Sequence, residues 1–226
     1  MKLSILCVTN NEYAGTEAFI RDMMTAADML RAEFVLGLDR EKAQTAAFRQ
    51  CADVVIDLTA NTLQEDVLDQ AIKACSGDWV LRLDDDETIS MALFQWLQSD
   101  GYIQAGSQLY AFPRVYFYPD VHHFLVNDGV YPDLQTRLGK RDLMTGYNYI
   151  HAGNPHGTGT VAPYAIEHHK LLVRTREERE AIAARYESIR PGAGSRPEYA
   201  RYNLPELFYP ELKAKEYTSG GNFSAA

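Results

Sequence analysis

Apolar positions along the first ninety residues fall into two alternating patterns. Residues 2–9 (KLSILCVT), 33–38, 53–58 and 79–83 are short, nearly continuous apolar runs, as expected of strands buried on both faces. Between them, residues 15–31 repeat apolar side chains at helical spacing (Phe19, Ile20, Met23, Met24, Ala27, Leu30). Residues 41–50 predict a shorter helix, and residues 63–74 place Val67, Leu68, Ala71 and Ile72 on one helical face. Helical spacing returns from Ile89 through Ala92 and Leu93 to Trp96. Strand and helix alternating in this way predict an α/β fold with a mostly parallel sheet and helices on its faces. Right-handed crossovers place the loops after Thr9, Leu38 and Leu83 along one edge. Asn10, Asn11, Asp39 and the acids that follow Leu83 then line one crevice, where open α/β sheets bind ligands.

Beyond Gln98 the pattern changes. Residues 109–118 (LYAFPRVYFY) are aromatic-rich and predict a strand, with Pro113 pointing to a sheet edge or a bulge. Residues 119–132 form a long connection containing His122-His123 and Asn127-Asp128. Residues 134–138 predict a short strand, and 141–150 either extend the sheet or form a hairpin. Residues 151–160 (HAGNPHGTGT) read as a mobile glycine-rich loop. Residues 165–174 run through His168-His169 into an apolar strand. A charged helix covers 176–190, and the remainder is rich in Pro, Gly and Tyr with weak periodicity.

The strongest chemical signal is Asp84-Asp85-Asp86-Glu87, directly after the apolar run of Trp79, Val80, Leu81 and Leu83. Carboxylates this close repel one another, and something must offset that repulsion. A divalent cation does so most directly, because Mg²⁺ and Mn²⁺ favour oxygen ligands and Mg²⁺ commonly joins one or two carboxylates to substrate phosphates. The simpler alternative is that Asp86 or Thr88 caps a helix. That accounts for one or two acids, and poorly for three in a row. The first loop has neither GxGxxG nor a P-loop, which argues against a glycine-rich phosphate cradle.

Composition narrows the field further. At 226 residues and 46% hydrophobic, the chain suits one larger domain with a proper core. Lys+Arg 22 against Asp+Glu 31 gives a formal charge of -9, which argues against nucleic acid or anionic membrane as the main partner. Cys7, Cys51 and Cys75 lack CxxC spacing and read as reduced core cysteines of a cytoplasmic protein. No stretch is apolar enough for an integral membrane span. Trp79 and Trp96 read as core, and the Tyr-rich tail suits either a lid or a homodimer interface.

LRLDDDETIS at residues 81–90, preceded by three strand–helix units and followed by a β-rich half, resembles the family 2 glycosyltransferases with their GT-A fold and DxD motif. The likeness spans about residues 1–175, including YPDLQTRL (131–138) and IEHHKLLVRTREERE (166–180). It implies one domain with a nucleotide-binding half (1–98), an acceptor half (99–175) and a C-terminal helix and tail (176–226). It also implies transfer of a sugar from a nucleotide-diphosphate donor to a carbohydrate or other hydroxyl acceptor, with Mn²⁺ or Mg²⁺, inversion as is usual in the family and no processivity being part of the expectation. By the same resemblance, Thr9, Asn10, Asn11, Glu12 and Asp39 contact base and ribose. Asp84 lies at the ribose or metal shell, Asp85 contacts the nucleotide, and Asp86 holds the metal, with His168 or His169 as a further ligand. Arg137 pairs either with the pyrophosphate or with a core carboxylate. The base is Asp133, or Asp128 as second choice; the family's Glu-Asp pair is missing. The QxxRW signature of processive synthases is also missing, since Gln135-Thr136-Arg137-Leu138 lacks its spacing and its tryptophan. Two rival readings are a nucleotidyltransferase on a similar sheet and a non-catalytic sugar or nucleotide-sugar binder.

Overall fold

The computed structural model describes residues 2–9, 15–39, 48–58, 64–145 and 154–219. The first half follows the alternation read from the sequence: β1 (Leu3–Thr9), α1 (Thr16–Leu30), β2 (Glu33–Asp39), β3 (Val54–Leu58), α2 (Gln64–Ala74) and β4 (Trp79–Asp84). Then come β5 (Glu87–Ile89), α3 (Met91–Gln98), α4 (Gly101–Gln104), β6 (Leu109–Tyr116), β7 (His123–Leu125), β8 (Asp133–Lys140), β9 (Thr160–Val161) and β10 (Ile166–His168). The chain closes with α5 (Lys170–Val173), α6 (Arg176–Ile189), α7 (Pro197–Asn203) and β11 (Ala214–Glu216).

One large sheet runs β3-β2-β1-β4-β8-β6-β10-β5, with β9 added beside β6. The first four strands are parallel, so their carboxyl ends share one edge, with Thr9 opposite Leu38 and Val8 opposite Asp84. Side chains alternate across these strands. Ile5, Cys7, Leu81 and Leu83 pack with Phe19, Ile20 and Met23 of α1 on one face. Leu6, Val8 and Val80 pack with Leu68, Ala71 and Ile72 of α2 on the other. Cys7, Cys51 and Cys75 are all free and buried. None of the described helices is long and apolar enough to cross a membrane.

Several local expectations change. The helix predicted from Ile89 begins at Met91, and residues Glu87–Ile89 are instead a strand paired antiparallel with β10. Its cap is Ser90, whose Oγ accepts from the Leu93 N–H at 3.2 Å, so neither Asp86 nor Thr88 serves as a helix cap. Pro113 lies within the interior strand β6. One side of β6 pairs with β9 at Tyr110–Ala111 and with β10 from Arg114, and Pro113 falls in the gap, where no N–H is required. The strand expected over 165–174 ends at His168, because β5 and β6 offer no further ladder; the His169 carbonyl then accepts from the Leu172 and Val173 N–H groups. Residues Arg141–Leu143 form a 3₁₀ turn and not more sheet. Of the helix expected at 41–50, the described residues hold only a 3₁₀ turn, Phe48–Gln50.

The C-terminal helices are tied to each other through Arg179. Its guanidinium donates to the Asn203 carbonyl at 2.6 Å and to Glu206 at 2.7 Å, while the Asn203 amide donates back to the Arg179 carbonyl. Arg179→Ala is expected to free α7 and lower stability by about 1–3 kcal/mol, because buried acceptors lose their donor. Urea unfolding reads this directly, and an unchanged midpoint would count against it.

Candidate active site

The acid turn sits where β4 ends beside β1. Strand order reverses there, with β2 lying on one side of β1 and β4 on the other. Asp84 closes β4. Its carboxylate meets Arg137 at 2.5 Å, Arg82 at 3.1 Å and Arg114 at 3.5 Å. Burial alone raises its pKa, but these three guanidiniums hold it well below the usual carboxylate range. Glu87 is fully buried. One oxygen accepts from Arg137 at 2.6 Å and Arg114 at 3.0 Å, and the other from the Asp84 N–H at 2.9 Å.

Asp85 accepts from the Thr9 hydroxyl at 2.5 Å and from Arg174 at 3.3 Å. Burial, and then the neighbouring Asp86 charge, push it from 3.8 up to about 7 against the pull of Arg174 and Thr9. The folded protein therefore keeps a proton that the unfolded chain releases. This contribution to stability is full below about pH 4 and is lost as pH rises toward 7. Asp85→Asn, which stays neutral, is expected to gain a few kcal/mol of stability relative to the wild type between about pH 4 and about pH 8. Unfolding curves for the two proteins that stay parallel across that range would disprove it.

Asp86 accepts from His168 Nε2 at 2.9 Å and from Arg174 Nε at 3.3 Å. Burial opposes its charged form, but His168, Lys170 and Arg174 hold it well below the ordinary range. His168 is buried, and burial lowers its pKa; its Nδ1 has no hydrogen-bond partner among the described residues. The two histidines diverge, as alternation along a strand requires. His169 turns to the Thr88 hydroxyl at 2.9 Å, between the rings of Phe19 and Phe117. Only His168 joins the acid turn.

A cavity of about 410 Å³ opens beside this turn. One wall is the sheet, with Arg114, Tyr116, Asp133 and Arg137; the other is α6 and α7, with Tyr186, Tyr199 and Tyr202. Asp133 is buried and accepts from Arg114 at 2.7 Å, Tyr116 at 2.9 Å and Gln135 at 2.7 Å. Burial raises its pKa, yet Arg114, Gln135 and Tyr116 bring it below the usual value. Asp128 is exposed on the β7–β8 connection and is not part of the cavity wall; its carbonyl accepts from the Tyr209 hydroxyl at 2.6 Å. Asn10, Asn11, Glu12 and His151 lie outside the described residues, as does the side chain of Asp39, whose backbone ends β2. Of the remaining histidines, His123 pairs with Asp120 and His156 is exposed.

Sequence reasoning missed the cations Arg82, Arg114, Lys170 and Arg174. Two of them left a signal. Arg82 and Arg114 interrupt apolar buried strands, and a buried guanidinium needs an acid beside it.

The resemblance implies a divalent cation at Asp84 and Asp86. Asp86 Oδ1 and His168 Nε2, 2.9 Å apart, are spaced like two neighbouring ligands of one ion with bonds of ~2.1 Å. That pair fits. Asp84 fits less well, since three arginines already take its oxygens. Among the described residues, no group of three or more His, Cys, Asp or Glu is arranged to hold a metal. Other ligands would be phosphate oxygens and water, as is common for Mg²⁺.

No protein-family model matches the sequence, and no curated protein matches it. Solved structures do. S. aureus TarS 1-349 in complex with UDP-GlcNAc has a TM-score of 0.53 at 13% identity, covering 92% of this chain and 73% of that one. The same protein in complex with UDP gives 0.51 at 14% identity over 93% and 73%, and TarS 1-349 without a named ligand gives 0.50 at 13% over 91% and 72%. At such identity the likeness concerns fold alone. The mixed, mostly parallel sheet flanked by helices is a GT-A nucleotide-sugar transferase fold.

Proposed function

We propose that this protein transfers a sugar from a nucleotide-diphosphate sugar to an acceptor hydroxyl, as an inverting, non-processive enzyme of the glycosyltransferase family 2 type. One observation carries the reading. The acid turn lies at the strand-order reversal of a GT-A sheet, where its Asp84 lines a cavity walled by arginines and tyrosines, and the Asp86–His168 pair is buried behind that wall, with the His168 ring against Tyr116.

In this reading Asp86 and His168 hold Mn²⁺ or Mg²⁺. When bound, the ion supplies positive charge against the negative charge that grows on the departing nucleoside diphosphate. The chain's own residues do the rest. Arg137 and Arg114 fix Asp84 and Glu87, so the floor of the site keeps its shape when ligand enters. The tyrosines of α6 and α7 offer aromatic faces and hydroxyls to a polar acceptor.

Asp133 is the proposed base. Among the described residues its Oδ1 takes only the Gln135 amide, whereas Oδ2 takes Arg114 and Tyr116, so lone-pair capacity remains on Oδ1 to accept a proton from an acceptor hydroxyl. Asp133→Asn is expected to keep nucleotide binding and lose turnover. Retained turnover would move the base elsewhere.

The transferase reading is tested by thermal unfolding with UDP, GDP, CDP, dTDP and ADP, each with Mn²⁺ and with EDTA. A ligand that binds only the folded state stabilises it by about 2.7 kcal/mol at one hundred times its Kd. One diphosphate that stabilises in Mn²⁺, followed by anomeric NMR of the product from its sugar derivative, supports transfer with inversion. No stabilisation by any of the five sinks the reading.

A further inference from the structure

Among the described residues, five cations surround the acid turn and the base of the cavity. Four are paired with the turn: Arg82 with Asp84, Arg114 and Arg137 with Asp84 and Glu87, and Arg174 with Asp85 and Asp86. The fifth, Lys170, is different. Its ammonium makes no hydrogen bond or ion pair with any described residue, although it lies half-buried on the cavity wall. Lys170 opens α5 two residues after His168, so β10 sets its position beside the Asp86–His168 pair. Asp86 and Asp84 attract it from beyond ion-pair distance, and Arg114 and Arg174 repel it.

A half-buried ammonium crowded by two guanidiniums is costly without an anion of its own. An anionic ligand entering the cavity supplies one. Each surrounding carboxylate has an arginine within ion-pair distance, whereas the lysine has no carboxylate that close among the described residues. Lysine also suits a phosphate oxygen, which it meets as a compact point charge with rotatable donors.

We propose that Lys170 binds the sugar-bearing phosphate of the donor and stabilises it as it leaves. This rests on the transferase reading above. In the step itself, an acceptor oxygen forms a bond to the anomeric carbon while the bond from that carbon to the phosphate oxygen breaks. The electron pair stays on the phosphate oxygen, and the acceptor's proton passes to the base. Lys170 stays protonated throughout and donates a hydrogen bond to the phosphate oxygen that gains charge.

The test compares Lys170→Gln and Lys170→Arg with the wild type by calorimetric titration in EDTA, so that no metal masks the lysine. The probes are the nucleoside diphosphate that stabilises the wild type best and its monophosphate. The wild type is expected to prefer the diphosphate. Lys170→Gln should lose about ten- to a hundred-fold in diphosphate affinity and little for the monophosphate, while Lys170→Arg recovers part of the loss. Because Lys170 has no partner to orphan among the described residues, Lys170→Gln should unfold no earlier than the wild type. A diphosphate preference unchanged in Lys170→Gln overturns the proposal and leaves the transferase reading intact. A wild type that binds none of the nucleotides, in EDTA or Mn²⁺, overturns both.

Discussion

Glu87→Ala is expected to destabilise the protein by about 3–5 kcal/mol, the usual effect of removing one partner from a buried ion pair. Glu87 is fully buried and satisfies three donors at once: Arg137 at 2.6 Å, Arg114 at 3.0 Å and the Asp84 N–H at 2.9 Å. Among the described residues, alanine leaves the 2% exposed Arg137 with Asp84 alone and the 13% exposed Arg114 with Asp133, the Tyr116 hydroxyl and a long contact to Asp84. For a chain of this size the melting temperature should fall by about ten degrees. Glu87→Gln keeps the shape and the acceptor oxygen and should fall between the wild type and alanine. Replacing Glu87 and Arg137 together by Leu and Met should cost less than the sum of the two single changes, because neither charge is left alone. Equal melting temperatures for Glu87→Ala and the wild type would mean that the arginines do not depend on this carboxylate.

That network also shows where sequence reading stops. The parallel half was legible because β1, β2, β3 and β4 are buried runs separated by helical spacing, and right-handed crossovers leave few ways to connect them. The acid turn was legible because its members are contiguous. Its partners are not. Arg114, Arg137 and Arg174 come from 27, 50 and 88 residues away in the chain, on β6, on β8 and after α5. Repulsion among the acids therefore pointed outside the chain, to a metal, when much of the compensation lies within it. The run at Leu171, Leu172 and Val173 shows the same limit at short range. Three apolar residues suit a strand or a helix equally, and only the lack of a partner strand at His169 decides for the helix. With Arg82, Arg114, Arg137, Arg174 and Lys170 set against Asp84, Asp85, Asp86, Glu87 and Asp133, the site is close to neutral by formal charge. A cation alone or a diphosphate alone unbalances it, whereas the two together largely cancel.

Metal and nucleotide should therefore bind as a coupled pair, and Asp86→Asn should uncouple them. In the wild type, saturating Mn²⁺ is expected to raise affinity for the cognate nucleoside diphosphate at least tenfold, and the nucleotide must raise affinity for Mn²⁺ by the same factor. Asparagine at position 86 can still accept from His168 Nε2, now 2.9 Å from Asp86 Oδ1, so the fold around β10 should survive. It provides no charge for a divalent ion. The coupling factor should fall to about one while metal-free nucleotide affinity changes little, and turnover should drop by more than about a hundredfold, since the ion's charge stabilisation amounts to several kcal/mol. Asp84→Asn separates the two acids. It loosens Arg137, Arg82 and Arg114, so it should lower the melting temperature first, with any effect on metal following from that. Titrations in Mn²⁺ and in EDTA, with each variant's unfolding curve alongside, decide the matter. Coupling that persists in Asp86→Asn but vanishes in a folded Asp84→Asn would move the ion to Asp84, and coupling that persists in both would remove it from the acid turn.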